Sequence, residues 1–367
     1  MSWKETYNAW KNYQALEPDL KDELAKLEGN DEALEDAFYA PMEFGTAGMR
    51  GVIGAGINRM NVYTVRQATE GLASLMDTLD EETKRRGVAI SYDSRHKSQE
   101  FAFESARVLG AHGIPSFVFE SLRPTPELSF TVRHLHAYAG IMITASHNPK
   151  QYNGYKIYGE DGAQMPPKES DLITKYIREV DDIFAVEAAD KDALINDGTL
   201  KVIGSEIDKE YLAEVKKVTV DPELVAEEGK TMKLIFTPLH GTGAMLGEKA
   251  LRQAGFEDFT MVPEQATPDA DFSTVEHPNP EFPEAFDLAI KLGKRDDADL
   301  LIAVDPDADR LGAAVRQPDG DYKLLTGNQI AAIMLNYILT ARKNAGTLPE
   351  NGALVKSIVS SEFAAKI

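Results

Sequence analysis

Three carboxylates alternate along the run Ala303-Val304-Asp305-Pro306-Asp307-Ala308-Asp309-Arg310, and each is ionised at neutral pH when it stands alone. Crowding them together is costly unless a cation lies between them, and a hard divalent ion, Mg²⁺ or Ca²⁺, prefers oxygen ligands of this kind. An EF-hand calcium loop counted from Asp305 would need Gly at its sixth position and Glu at its twelfth. Here those positions hold Arg310 and Arg316, so that reading fails. Three protein oxygens also leave coordination sites open, which suits an ion that grips a substrate or phosphoryl oxygen as well. The plain alternative is an Asp-rich turn facing water. Arg310, beside the cluster, could pair with a carboxylate or bind a phosphate.

A second constellation is Thr144-Ala145-Ser146-His147-Asn148-Pro149, continued by Lys150-Gln151-Tyr152-Asn153-Gly154-Tyr155-Lys156. It follows the apolar run 139–144, and a serine at the C-terminal edge of a parallel strand sits where open α/β sheets place their ligands. A hydrolase elbow, G-x-S-x-G, would require Gly at 144 and 148, which are Thr and Asn. His147 is adjacent to Ser146, so a phosphate contact is expected of it rather than removal of the serine proton. Lys156 could act as a positional cation or as an acid/base. The alternative is an Asn-Pro and Asn-Gly turn that merely caps a strand.

Two glycine-rich runs complete the set. Phe44-Gly45-Thr46-Ala47-Gly48-Met49-Arg50-Gly51 could bring the backbone of Thr46 and Gly48, and the donor fork of Arg50, close to an anion, or could be a connector. His240-Gly241-Thr242-Gly243 and Gly247, with Glu264 further on, look like a dinucleotide fingerprint, but the third glycine comes one residue late. No G-x-x-x-x-G-K-[ST] phosphate loop occurs.

The elements that must position these residues follow from periodicity. Apolar spacing predicts helices over 1–43, broken at Gly29-Asn30, and over 62–79, 99–112, 244–255 and 327–342. Short apolar runs predict strands at 87–93, 116–120, 139–144, 232–238, 259–263, 298–304 and 353–359, with a hairpin at Pro318-Asp319-Gly320. The junction lies in 194–210. A helix opening at Ser360-Ser361-Glu362 stops with the chain at Ile367. The expected architecture is α/β: successive similar three-layer α/β/α domains with mixed, mostly parallel sheets. Domain 1 spans 1–205 and carries the Ser146 loop, domain 2 spans 206–323 and carries the aspartates, and 324–367 begins an incomplete third.

Composition bounds the function. The 367 residues carry 39 Lys and Arg against 60 Asp and Glu, a formal charge of −21, which argues against a nucleic-acid binder but not against a small phosphorylated substrate. Without cysteine there are no disulfides, thiolate metal sites or Cys nucleophiles, which suits a cytoplasmic location. No signal-peptide order opens the chain, and no apolar run reaches the ~20 residues of a membrane-spanning helix, so no membrane partner is expected.

The motifs TASHNP with NGYK, DPDADR and FGTAGMRG, in one chain, resemble the α-D-phosphohexomutase superfamily of phosphoglucomutases and phosphomannomutases. MEFGTAGMRG, GIMITASHNPKQYNGYK, PNPEFP at 278–283 and VKSIVSSE look most like its phosphoglucomutase-2 and phosphopentomutase branch. The resemblance implies a phosphosugar mutase interconverting glucose 1-phosphate and glucose 6-phosphate through a bisphosphorylated sugar, with phosphopentomutase and phosphomannomutase as alternatives. It makes Ser146 the phosphoserine, gives one Mg²⁺ to Asp305, Asp307, Asp309 and a phosphoserine oxygen, and matches Arg50 and Lys156 to catalytic positions. Arg310 would neutralise phosphate charge, and a sugar 1,6-bisphosphate would be intermediate and activator. It also implies four domains, of which this chain resembles an N-terminal portion, inactive or nearly so by itself, and a monomer or weak dimer. Two readings of other classes stay open: an NAD-dependent oxidoreductase using the 241–247 glycines, and a non-catalytic sugar-phosphate binding module.

Overall fold

Val88–Tyr92 and Ala139–Ile143 are buried at every position, the mark of strands covered on both faces. The computed structural model, which describes residues 2–45 and 48–367, places each at the heart of a sheet. Thr46 lies outside the described residues. The chain divides into two compact units, Met1–Ile207 and Asp208–Ile367.

The first unit holds β1 (Met49–Val52), β2 (Val88–Tyr92), β3 (Ser116–Phe119), β4 (Ala139–Ile143), β5 (Tyr152–Tyr158) and β6 (Leu200–Ile203), in sheet order β1-β5-β4-β2-β3-β6. Strand β2 runs parallel to β3 and β4, β3 parallel to β6, and β5 antiparallel to β4 and β1. Alternation along the strands sends Ile90, Ile141 and Ile143 to one face, where Leu72 and Leu109 of the helices Val62–Asp77 and Ser98–Ala111 meet them. Ala89 and Met142 point the other way, onto Leu128 and Val132 of the helix Thr125–His134. That is three layers. A satellite core around Trp10, Leu24, Phe38 and Tyr63 gathers the N-terminal helices.

The second unit holds β7 (Leu234–Thr237), β8 (Phe259–Met261), β9 (Leu300–Val304), β10 (Leu311–Arg316) and β11 (Tyr322–Leu325), ordered β11-β10-β9-β7-β8. Here β7 is parallel to β8 and β9, while β10 is antiparallel to β9 and β11. Ile235, Leu301 and Ala303 pack with Ala289 and Leu292 of the helix Asp287–Asp296. Phe236 and Val304 come up against Gly247 and Gly243 of the helix Gly243–Ala254. The sub-order β5-β4-β2-β3 in the first unit is matched by β10-β9-β7-β8 in the second, so the α/β/α plan repeats. The parallel majority is narrow, five of nine pairings among the described residues.

Several expectations need correction. The single helix expected before Gly29 is two, Trp3–Asn12 and Pro18–Leu27, because Pro18 lacks an N–H and suits only a first turn. Asn153-Gly154 lies inside β5, not in a turn. Residues 353–359 form no strand; a strand needs a partner for its backbone groups, and among the described residues nothing pairs with this segment. The final helix is a short 3₁₀ turn, Glu362–Lys366.

Candidate active site

Strand β4 ends at Ile143, and Ser146 sits three residues beyond, 3% exposed, at φ +51°. The left-handed region costs a residue with a side chain ~1–2 kcal/mol, so the surroundings must hold it there. Its N–H donates to Thr144 Oγ1 at 2.8 Å, and that hydroxyl donates to Asp93 Oδ2 at 2.6 Å. Its carbonyl accepts from Arg95 Nη2 at 2.6 Å. Arg95 also donates to the carbonyls of Asn148 (2.5 Å), Pro149 (2.9 Å) and Tyr152 (3.1 Å), so one guanidinium gathers the whole loop. Arg95 Nε lies 3.2 Å from Asp93 Oδ2, both side chains fully buried.

The position of His147 corrects the expectation for it: its Nδ1 lies 3.1 Å from Ser146 Oγ. The histidine does turn back onto the hydroxyl.

Arg50 reaches the same loop. It sits on β1 opposite Gly154, and its Nη1 donates to Asn148 Oδ1 at 2.8 Å. Gly48, before it, exchanges two backbone hydrogen bonds with Gly45 and has φ +82°; a Cβ there would stand 2.2 Å from the Tyr155 carbonyl oxygen. Close packing therefore accounts for this glycine. Lys156 is buried on β5 opposite Met142, two residues from Gly154, whose carbonyl accepts the Thr144 N–H.

In the second unit, Asp305, Asp307 and Asp309 follow β9. Each offers one carboxylate oxygen within 4.8 Å of the others; Asp305 and Asp307 are buried, Asp309 exposed. The loop is cinched by the Ala308 N–H to the Asp305 carbonyl (2.9 Å) and the Arg310 N–H to Asp305 Oδ1 (3.0 Å). An all-carboxylate set with no sulfur or nitrogen fits a hard divalent cation rather than zinc or copper. Arg310 is half exposed, its Nη1 3.6 Å from Glu281 of the Pro278–Pro283 segment.

The 241–247 glycines pack against this loop and the strands beneath it. Gly241 lies so close that a Cβ would stand 2.3 Å from Pro306 Cα, and Thr242 donates both its N–H (2.8 Å) and its hydroxyl (2.9 Å) to the Pro306 carbonyl. A Cβ on Gly243 would meet Val304 at 2.6 Å, and one on Gly247 the Phe236 ring at 2.8 Å. The spacing that resembles a dinucleotide fingerprint is filled by the chain's own atoms.

Residues 41–183 match the family description phosphoglucomutase/phosphomannomutase, alpha/beta/alpha domain I, and residues 209–320 match domain II. The chain belongs to this family, within the α-D-phosphohexomutase superfamily. Phosphoglucomutase of Staphylococcus aureus strain N315 is 39% identical over 329 residues, 89% of this chain and 57% of that protein. The chain thus spans under two thirds of the length of the curated relatives it matches. Two solved structures align at 20% identity and support the fold alone. A phosphoglucomutase/phosphomannomutase family protein of Burkholderia thailandensis has TM-score 0.62, over 81% of this chain and 58% of that one. The open form of the Paramecium exocytosis-sensitive phosphoprotein parafusin has TM-score 0.63, over 86% and 57%.

The residues that support the Ser146 loop were missed in the sequence. Asp93, Arg95 and Thr144 carry the Ser146 loop, and buried Asn153 donates to the His96 carbonyl and Ser98 Oγ, each at 2.9 Å. The available signal was Asp93-Ser94-Arg95 directly after an apolar strand, since charges at a buried strand's tip need a reason.

Proposed function

We propose that this chain carries the phosphoserine and metal loops of a phosphosugar mutase that interconverts glucose 1-phosphate and glucose 6-phosphate. The observation that carries the reading is the Ser146 hydroxyl, presented at the end of a parallel strand on a locked left-handed residue and hydrogen-bonded to His147 Nδ1 at 3.1 Å. Such a hydroxyl can hold a phosphoryl group between two transfers. In the first, a sugar hydroxyl oxygen forms the new P–O bond while the bond from phosphorus to Ser146 Oγ breaks. The sugar hydroxyl proton passes to a base, for which Lys156 is the family-matched candidate, and Ser146 Oγ regains a proton, for which His147, 3.1 Å away, is the proposed donor. The bisphosphate then returns its other phosphoryl group by the reverse of these bond changes. Charge on the transferring group is the main obstacle, and positioned cations lower it. Asp305, Asp307 and Asp309 would hold the Mg²⁺, which when bound supplies that neutralisation. Arg50, anchored on Asn148, adds a fixed positive charge beside the loop.

The test is intact-mass analysis and peptide mapping after incubation with glucose 1,6-bisphosphate and Mg²⁺. One phosphate on Ser146, absent from Ser146→Ala, is the expected result; an unmodified Ser146 sinks the reading. Competing that label with glucose, mannose and ribose phosphates ranks the sugars, and glucose phosphates are expected to discharge it fastest.

A further inference from the structure

We propose that Asp93, Arg95 and Thr144 are positioning residues that lock Ser146 in the left-handed conformation needed for phosphoryl transfer, a role that rests on the mutase reading for its catalytic meaning. Both peptide groups of Ser146 are tied. The N–H goes to Thr144 Oγ1, and the carbonyl goes to Arg95 Nη2. The Thr144 hydroxyl has one donor and can also accept, and it uses both capacities, receiving the Ser146 N–H and donating to Asp93 Oδ2. Asp93 Oδ1 in turn accepts the Arg95 N–H at 3.0 Å and Ser98 Oγ at 2.8 Å. Buried charge is expensive, and here it is placed on the loop after β2, where it braces the neighbouring loop after β4 that bears the reacting hydroxyl.

In the second unit Leu239, at φ +45°, donates its N–H to Thr237 Oγ1 at 3.1 Å, the same two-residue step. There the threonine hydroxyl donates to a neutral amide, Gln265 Oε1, at 2.7 Å. The step at the aliphatic Leu239 is served by a neutral acceptor; the step at Ser146 is served by a fully buried Asp–Arg pair. The guanidinium fork matters because it serves four carbonyls between 146 and 152, which a single ammonium nitrogen cannot span.

Removing Asp93 or Arg95 outright risks unfolding, so the variants are Thr144→Val, Thr144→Ser and Arg95→Lys, with two readouts. The first is the single-turnover rate of phosphate transfer from glucose 1,6-bisphosphate to Ser146, alongside the dissociation constant for glucose 6-phosphate. Small displacements of a reacting atom cost up to about 100-fold, so Thr144→Val and Arg95→Lys are expected to slow transfer about 10- to 100-fold. Affinity should stay unchanged, and Thr144→Ser should restore the rate. The second is hydrogen exchange of the Ser146 amide, expected to be protected in the parent and faster in Thr144→Val, with Ile141 in β4 unaltered. A Thr144→Val enzyme as fast as the parent, or affinity falling in step with rate, overturns the proposal. If the parent takes no phosphate, the mutase reading falls and the exchange measurement decides the clamp: an unprotected Ser146 amide in the parent overturns it, and protection lost in Thr144→Val upholds it.

Discussion

At Gly48 the backbone demands glycine twice over. Its φ of +82° is strained for any side chain, and an added Cβ would press to 2.2 Å from the Tyr155 carbonyl oxygen. Gly29 provides the control in the same unit, with φ +87° but nothing within 4 Å of the added carbon. Gly29→Ala should therefore cost about 1 kcal/mol, the conformational term alone. Gly48→Ala should cost a further ~1–3 kcal/mol, the usual range for overpacking. Urea denaturation of both variants measures the difference, and equal midpoints would show that the close approach relaxes without penalty. The same carbonyl belongs to β5, the strand that also carries Gly154 and Lys156, so the strain of Gly48→Ala is felt beside the Ser146 loop. A glycine in a motif can thus be fixed by neighbouring backbone before any ligand is considered.

Between elements, the helix Val62–Asp77 is tied to the end of Ser98–Ala111 by His112, whose Nε2 lies 3.0 Å from Glu70 and Nδ1 2.6 Å from Asp77. Asp77 also faces Lys84, and Glu179, Asp181, Asp182 and Glu187 line the adjacent cavity, so the histidine sits in a mostly acidic setting. The hydrogen bond to Glu70, with Asp77 adding to it, raises the pKa from 6.5 to about 9 despite burial. A raised folded-state pKa stabilises fully below the unfolded value and loses its contribution as pH climbs through the folded one. Stability should therefore decline between pH 6.5 and about 9, and His112→Gln should flatten that slope in urea titrations across the range. This link was illegible in the sequence, because three residues from two helices meet only after folding. The legible parts were those whose signal is local: the buried strands at 88–92 and 139–143, the hairpin at Gly320, and the carboxylates alternating at 305, 307 and 309. Strands β1, β5 and β6 were hidden, since a glycine in β1, an Asn-Gly pair in β5 and the four-residue length of β6 between Asp197-Gly198 and Gly204 read as loops until a neighbouring edge pairs them. Residues 353–359 show the converse, β-prone side chains without an edge, with Val355, Ile358 and Val359 left exposed.

For the whole molecule, a formal charge of −21 means that any added salt, Mg²⁺ included, relieves self-repulsion and raises stability. A rise in melting temperature with MgCl₂ is therefore no evidence for a site until that general effect is removed. The local argument differs in kind: three carboxylate oxygens within 4.8 Å, two of the residues buried, form a concentrated negative charge that monovalent salt screens poorly. An ion that binds only the folded state adds about 2.7 kcal/mol at a hundredfold excess over its Kd. For a unit of this size each kcal/mol moves the midpoint ~2–4 °C, so Mg²⁺ should exceed NaCl of equal ionic strength by several degrees. Asp307→Asn should abolish the excess while keeping the response to NaCl, and a chelator should reverse it in the parent. Hydrogen exchange should report the gain at 300–316 and, through the Pro306 carbonyl held by Thr242, at 237–243. Equal midpoints in matched MgCl₂ and NaCl would leave the aspartates without a metal-binding role.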